Sequence, residues 1–248
     1  MSKHINFHVL TLFPDQIRNF VETSITGRAV EKGIIGLDTV YIRDFAHNHY
    51  GKIDDTMYGG GTGLLIMCDP VFDAYKSVCD KAKTKPHTIY MSPKGKVLDQ
   101  AKVKELSEYE DLIIICGHYE GIDQRVIDEI CDEEISIGDY VLTGGEAASI
   151  IVIDSVSRMI DGVLPNEEAY TNESHMNGTL EAPQYTKPPV WHGKEVPKVL
   201  ASGNMAAIEE FYLVKSLKET MQKRPDMFEK LEIPEDIWQK VLADTDTL

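Results

Sequence analysis

Apolar and polar positions along this chain follow two different periods, and the switches between them locate its elements. Short runs rich in Val, Ile and Tyr predict strands at His4–Phe13, Leu37–Ile42, His87–Met91, Leu112–Cys116 and Glu134–Ile137. Between them the apolar spacing becomes helical. It predicts helices over Asp15–Lys32, stopped by Gly33, over Asp69–Ala82 and over Gly144–Ile160. Pro70 falls in the first turn of the second of these, where its missing N–H does no harm. Strands alternating with helices predict an α/β domain on a largely parallel sheet.

That pattern stops near Asp161. Residues 161–178 are polar, carry Pro, Asn, Gly and Ser, and have no periodic apolar face, which predicts a linker or mobile loop. From Asn204 onward Ile208, Phe211, Val214, Leu217 and Met221 recur at helical spacing, and Pro225 follows them. The expected division is a first domain over residues 1–160, a linker over 161–178 and a small helical domain over 179–248.

Charge narrows the function. The 248 residues carry a formal net charge of −16, whereas proteins that grip nucleic acid broadly carry a basic footprint. DNA binding is therefore not expected; one folded RNA, met by a local basic patch, still fits. Residues 171–248 hold 9 Lys and Arg against 13 Asp and Glu, so the tail is less acidic than the rest but not basic. Lys187, Lys194, Lys198, Lys215, Lys218, Lys223 and Arg224 are its candidate phosphate contacts. No apolar run has the length of a membrane span, and the first residues read as a strand rather than a signal peptide. Cys68, Cys79, Cys116 and Cys131 lie far apart with no C-x-x-C pair, which points to a reducing, cytoplasmic setting rather than to zinc or disulfides.

Three glycine-bearing loops follow apolar strands: Tyr90–Gly95, Cys116–Asp123 and Ser136–Glu146. Ligands of open α/β sheets bind outside the carboxyl ends of the strands, and glycine lets backbone come close to them. Together the loops could make one pocket walled mainly by backbone. Thr143-Gly144-Gly145-Glu146 fits a capping box opening the following helix, although two glycines there point to a need for space. No phosphate-binding loop of known pattern occurs; Gly59-Gly60-Gly61-Thr62-Gly63 has no strand directly before it and no Lys after it, and reads as a flexible loop.

These loops carry a family resemblance. CGHYEGID from Cys116, EISIGDYVLTGGE from Glu134 and IDSVSRMIDGVL from Ile153 resemble the bacterial tRNA (guanine-N1)-methyltransferases, the TrmD family of SPOUT methyltransferases. Thr11-Leu12-Phe13-Pro14, Arg43-Asp44-Phe45, Asp54-Asp55 with the glycine run, Ser92-Pro93-Lys94-Gly95 and Pro183-Gln184-Tyr185-Thr186-Lys187-Pro188 extend the likeness over nearly the whole chain. The resemblance implies a mostly parallel α/β sheet with a deep trefoil knot and a helical C-terminal tRNA-binding domain. It implies transfer of the methyl group of S-adenosylmethionine to N1 of guanosine 37 of tRNA, by a homodimer whose active site spans both subunits.

Carried over by motif position, the resemblance assigns to the cofactor Tyr90, Met91, Ser92, Pro93, Gly117, Tyr119, Glu120, Gly121, Ser136, Ile137, Gly138, Tyr140, Leu142, Gly144 and Gly145. Guanine N1 holds a proton at neutral pH, so the reaction needs a base near N1 and a donor near O6. The resemblance supplies Arg158 for O6 and Glu173 for the base. It also implies Mg²⁺, with Glu120 and Glu173 as candidate ligands, and substrate contacts at Asp54, Asp55, Gly63, Glu181, Ser202 and Asn204. The chain departs from the family at Glu173, where an Asp is usual, and at Glu209–Tyr212, where Arg residues are usual. Those departures keep open the alternative of a catalytically weakened tRNA-binding protein; a knotted methyltransferase for another RNA is a further alternative, against which the Pro183–Pro188 segment speaks.

Overall fold

The computed structural model describes residues 4–165 and 173–244, so residues 166–172 of the expected linker lie outside the described residues. The chain divides into two compact units, residues 1–166 and 167–248.

The first unit is built on β1 (Ile5–Thr11), β2 (Ile35–Tyr41), β5 (His87–Val97), β6 (Asp111–Cys116) and β7 (Glu133–Ser136), parallel throughout in the order β2-β1-β6-β5-β7. Side chains alternate across a strand, and β6 shows the effect: Leu112, Ile114 and Cys116 enter one core while Ile113 and Ile115 enter the other. Both faces are thus apolar, as a sheet covered on both sides requires. Helices α1 (Pro14–Val21), α2 (Ser24–Glu31), α4 (Gln100–Leu106) and α6 (Glu146–Ser157) cover the first face. The second face carries α3 (Cys68–Cys79) and α5 (Gln124–Ile130). Among the described residues no helix is long and apolar enough to cross a membrane.

Three expectations need correction. The single helix over Asp15–Lys32 is two. The Thr23 hydroxyl donates to the Phe20 carbonyl at 2.7 Å, Ser24 takes φ 55°, and the chain bends between α1 and α2. The glycine run does have a strand before it. β3 (Asp54–Thr56) and β4 (Leu64–Ile66) form a short antiparallel hairpin around it, too brief for any period to register. The third is the capping box at Thr143, which does not form: Gly145 is the N-cap of α6 without a side-chain cap bond, and the Glu146 carboxylate instead accepts from the Thr11 hydroxyl at 2.7 Å. Helices α4 and α5, each of 7 residues, escape periodicity for the same reason as the hairpin.

His8, on β1, lies between two carboxylates: Asp111 accepts from Nε2 at 3.1 Å and Asp38 stands 3.6 Å from Nδ1. Burial favours the neutral ring, but the two carboxylates outweigh it and raise the His8 pKa above its usual 6.5. A raised folded-state pKa adds stability that is complete below the unfolded value and is lost as pH rises through the folded one. We expect the stability difference between wild type and His8→Gln to shrink by on the order of 1 kcal/mol above pH 6.5. Urea denaturation at several pH values checks it; a difference that grows with pH contradicts the assignment.

The second unit holds a two-residue hairpin, β8 (Val190–Trp191) with β9 (Lys194–Glu195), then α7 (Met205–Lys223), α8 (Pro225–Phe228) and α9 (Glu235–Ala243). Its small core joins Val214, Leu217 and Val241 to Phe228, Leu231 and Trp238.

Candidate active site

The three glycine-bearing segments converge at the bulge of β5 and at the carboxyl ends of β6 and β7. After β6 the chain turns through Gly117, where a Cβ would stand 2.7 Å from the Tyr90 hydroxyl, then through Tyr119 at φ 58° and Gly121 at φ 118°. This loop is tied to β4: the Glu120 N–H donates to Leu64 at 3.0 Å, Ile66 to Gly121 at 3.0 Å and Asp123 to Ile66 at 2.9 Å. At its far end the Arg125 guanidinium grips Asp123 and holds that carboxyl well below the usual carboxylate range.

After β7, Ser136 both accepts from the Gly138 N–H and donates to its carbonyl, closing a turn with Gly138 at φ 146°. The chain then returns against the β6 loop: Gly144 bridges His118, and the Gly145 N–H donates to Gly117 at 2.9 Å. A Cβ on Gly145 would stand 2.8 Å from Cys116 Cα. The third wall comes from β5, whose register against β7 slips between Met91 and Lys96. That irregularity holds Ser92-Pro93-Lys94-Gly95, so the first loop is a bulged continuation of the strand rather than a turn after it.

Every residue that the resemblance assigned to the cofactor lines one cavity of about 230 Å³ between these loops. His118, Val141, Thr143 and Ala148 line it as well and escaped the sequence reading. His118 stands within CGHYEGID, where the glycines on either side point to backbone rather than side-chain contacts. Burial and nearby Glu134 push the Tyr90 hydroxyl up to about 12, so it is a neutral donor at physiological pH. Cys116 is fully buried and its thiol is pushed up too, so it remains protonated and structural. Tyr119, Tyr140, Val141 and Leu142 expose apolar surface beside the cavity.

The substrate residues divide. Asp54 and Asp55 lie on β3, in the hairpin tied to the cavity loop, and a Cβ on Gly63 would stand 2.5 Å from Glu120 Cγ. Asp55 accepts from Lys52 at 2.8 Å, which lowers its carboxyl pKa. Arg158 does not meet the cavity within one chain. It follows α6 at the C-terminal end, ten residues beyond Ala148, or about 15 Å along the axis. Glu173, Glu181, Ser202 and Asn204 belong to the second unit. Ser174 accepts from the Glu181 N–H at 2.9 Å, and Asn204 caps α7 by accepting from Ala207 at 3.3 Å, with its own N–H on the Ser202 hydroxyl.

Two candidate phosphate contacts fail. Lys215 and Lys218 are buried against Asp244, which Lys215 meets at 2.8 Å. Lys223 pairs with Glu219 and Arg224 with Asp226. Among the described residues no three His, Cys, Asp or Glu side chains come together as a metal site. Glu120 is the carboxylate among the residues that line the cavity, and no cluster of three ligands stands behind the Mg²⁺ expectation among the described residues.

Comparison with known proteins adds an independent finding. The family model described as tRNA (Guanine-1)-methyltransferase TrmD matches residues 5–230. A tRNA (guanine-N(1)-)-methyltransferase of Ruminiclostridium cellulolyticum is 52% identical over 227 residues, covering 92% of this chain and 97% of the relative. Proteins of the same name from Dehalococcoides mccartyi and Clostridioides difficile are each 47% identical, covering 90% and 91% of this chain and 90% and 98% of their own lengths.

Proposed function

This chain belongs to the tRNA (guanine-1)-methyltransferase family, and we propose that it moves the methyl group of S-adenosylmethionine to N1 of guanosine 37 of tRNA. It is a methyltransferase acting on guanine in tRNA; the donor, the position and the residue roles are the proposal. The observation that carries it is the convergence of all the motif-assigned loop residues on one cavity whose glycines leave backbone groups bare. A ligand with an adenine edge is read by such backbone groups, while Ile137 and Leu142 give it apolar contact. A deep trefoil knot, as in the family, is the proposed chain path at these loops.

The donor supplies a methyl already activated as a sulfonium, so the chain's task is to prepare the acceptor. Glu173 takes the N1 proton, and Arg158 donates to O6 where negative charge develops. Asp54 or Asp55, held beside the cavity by the β3–β4 hairpin, accepts from guanine N–H groups and rejects adenine. The target base must leave its stack, which costs less in an anticodon loop than in a stem.

Because Arg158 lies too far along α6 to serve its own cavity, we assign it, with Glu173, to the cavity of a second copy in a two-fold homodimer. The helical second domain, taken as residues 179–248, then presents Lys187, Lys194 and Lys198 to the tRNA backbone. Glu120 and Glu173 remain candidate Mg²⁺ ligands, with water completing the shell. A cytoplasmic location follows from the substrate.

Labelled methyl transfer to tRNA transcripts tests the reading. With guanosine at position 37 the label enters the RNA, and with adenosine it does not. Equal labelling of both transcripts refutes the assigned target.

A further inference from the structure

We propose that the side chains of His118 and Glu146 together hold a hydrogen-bond-donating group of the bound methyl donor, which makes His118 a binding residue of the cavity. The inference rests on the reading of that cavity as the donor site. His118 lines the cavity, yet its Nδ1 is buried without a hydrogen-bond partner among the described residues. Buried polar atoms are nearly always paired, so such an atom beside a ligand cavity points to a ligand contact. The ring does not swing freely: Phe13 meets it edge-on at 5.1 Å and Tyr119 at 4.8 Å. Its backbone is bridged to Gly144 and accepts from the Gly121 N–H at 3.0 Å.

Glu146 faces the same place. The residue is 4% exposed, and its Oε1 accepts from the Thr11 hydroxyl, which itself accepts from the Phe13 N–H at 2.9 Å. That chain of bonds orients the group and leaves Oε2 free of it. The point where a Cβ on Gly144 would stand is 2.9 Å from His118 Nδ1 and 2.5 Å from Glu146 Oε2. Two polar atoms therefore flank the position that a side chain on this cavity-lining glycine would fill. A carboxylate accepts only, and a neutral imidazole accepts through Nδ1 when its hydrogen is on Nε2. The pair suits an O–H or N–H group and repels an anion. The methyl donor carries three such sources: the adenine amino group, the ribose hydroxyls and the ammonium of its amino-acid part.

Calorimetric titration of the full-length protein with S-adenosylhomocysteine and with methylthioadenosine, which keeps the adenine and ribose but lacks the amino-acid part, separates the nucleoside sources from the ammonium. His118→Leu is expected to weaken S-adenosylhomocysteine about tenfold, and His118→Asn to restore most of that. A matching loss with methylthioadenosine assigns the nucleoside half, adenine amino group or ribose; no loss with it assigns the ammonium. Should His118→Leu not fold, Glu146→Gln, which can still accept from Thr11, is expected to lose affinity severalfold. Unchanged affinity for both ligands, or equal losses in the Leu and Asn variants that track melting temperature, overturns the proposal. If wild type takes up neither ligand, the donor-site reading itself fails, and the transfer assay registers that separately.

Discussion

Gly145→Val leaves a folded protein that no longer takes up the methyl donor. The position is an N-cap with φ −79°, which valine adopts without backbone strain, so the effect is steric alone. A Cβ there meets Cys116 Cα at 2.8 Å and the Gly117 nitrogen at 3.1 Å, both main-chain atoms of the loop that forms the opposite wall. Flexible side chains yield to such an intrusion; a strand end buried in the core does not. Valine adds two further methyl groups. The β6 loop must then move outward, breaking the 2.9 Å bond from the Gly145 N–H to the Gly117 carbonyl. Closing the space between two main-chain segments that wall the ligand is expected to lower affinity for S-adenosylhomocysteine by at least about a hundredfold, roughly 2.7 kcal/mol. Calorimetry measures it, with circular dichroism to verify the fold. Affinity within threefold of wild type would remove the cavity as the donor site.

Arg158→Ala and Gly145→Val, each inactive alone, regain activity when mixed. Alanine at 158 removes the group assigned to O6, and the loss of one such charge-stabilising donor lowers turnover by about 10²–10³-fold while donor binding stays intact. If Arg158 serves the cavity of a second copy, a mixed dimer contains one site with both a sound cavity and an arginine. Random exchange makes about half the dimers mixed, each with one of its two sites sound, so about a quarter of wild-type activity returns. If Arg158 serves its own cavity, no site in any mixed dimer is complete and the mixture stays as inactive as its parts. Methyl transfer after co-refolding or subunit exchange separates the two cases.

The sheet and the cavity differ in how much of them the sequence disclosed. β6 was plain because Leu112–Cys116 is apolar throughout, which is how a strand covered on both faces reads. The β3–β4 hairpin and helices α4 and α5 stayed hidden because three residues hold less than two repeats of a strand's period and seven less than two of a helix's. The bend between α1 and α2 depends on a threonine hydroxyl finding a carbonyl, which hydrophobic spacing does not record. The cofactor residues came from motif likeness; glycine-bearing strand ends alone gave only the idea of a backbone-walled pocket. His118 was missed because its meaning lies in what it fails to bond, and bonding is visible only once Gly144 and Glu146 are placed beside it. Lys215 and Lys218 misled in the opposite sense: charge predicts exposure, but the two amines fold inward onto Asp244.

The three backbone bonds between β4 and the 117–123 loop make the hairpin and the cavity wall one mechanical piece. Any ligand that shifts the wall by a fraction of an ångström carries Asp54 and Asp55 with it. Two ligands that both press on that piece must sense each other, and whatever the first does to the affinity of the second is returned in equal measure.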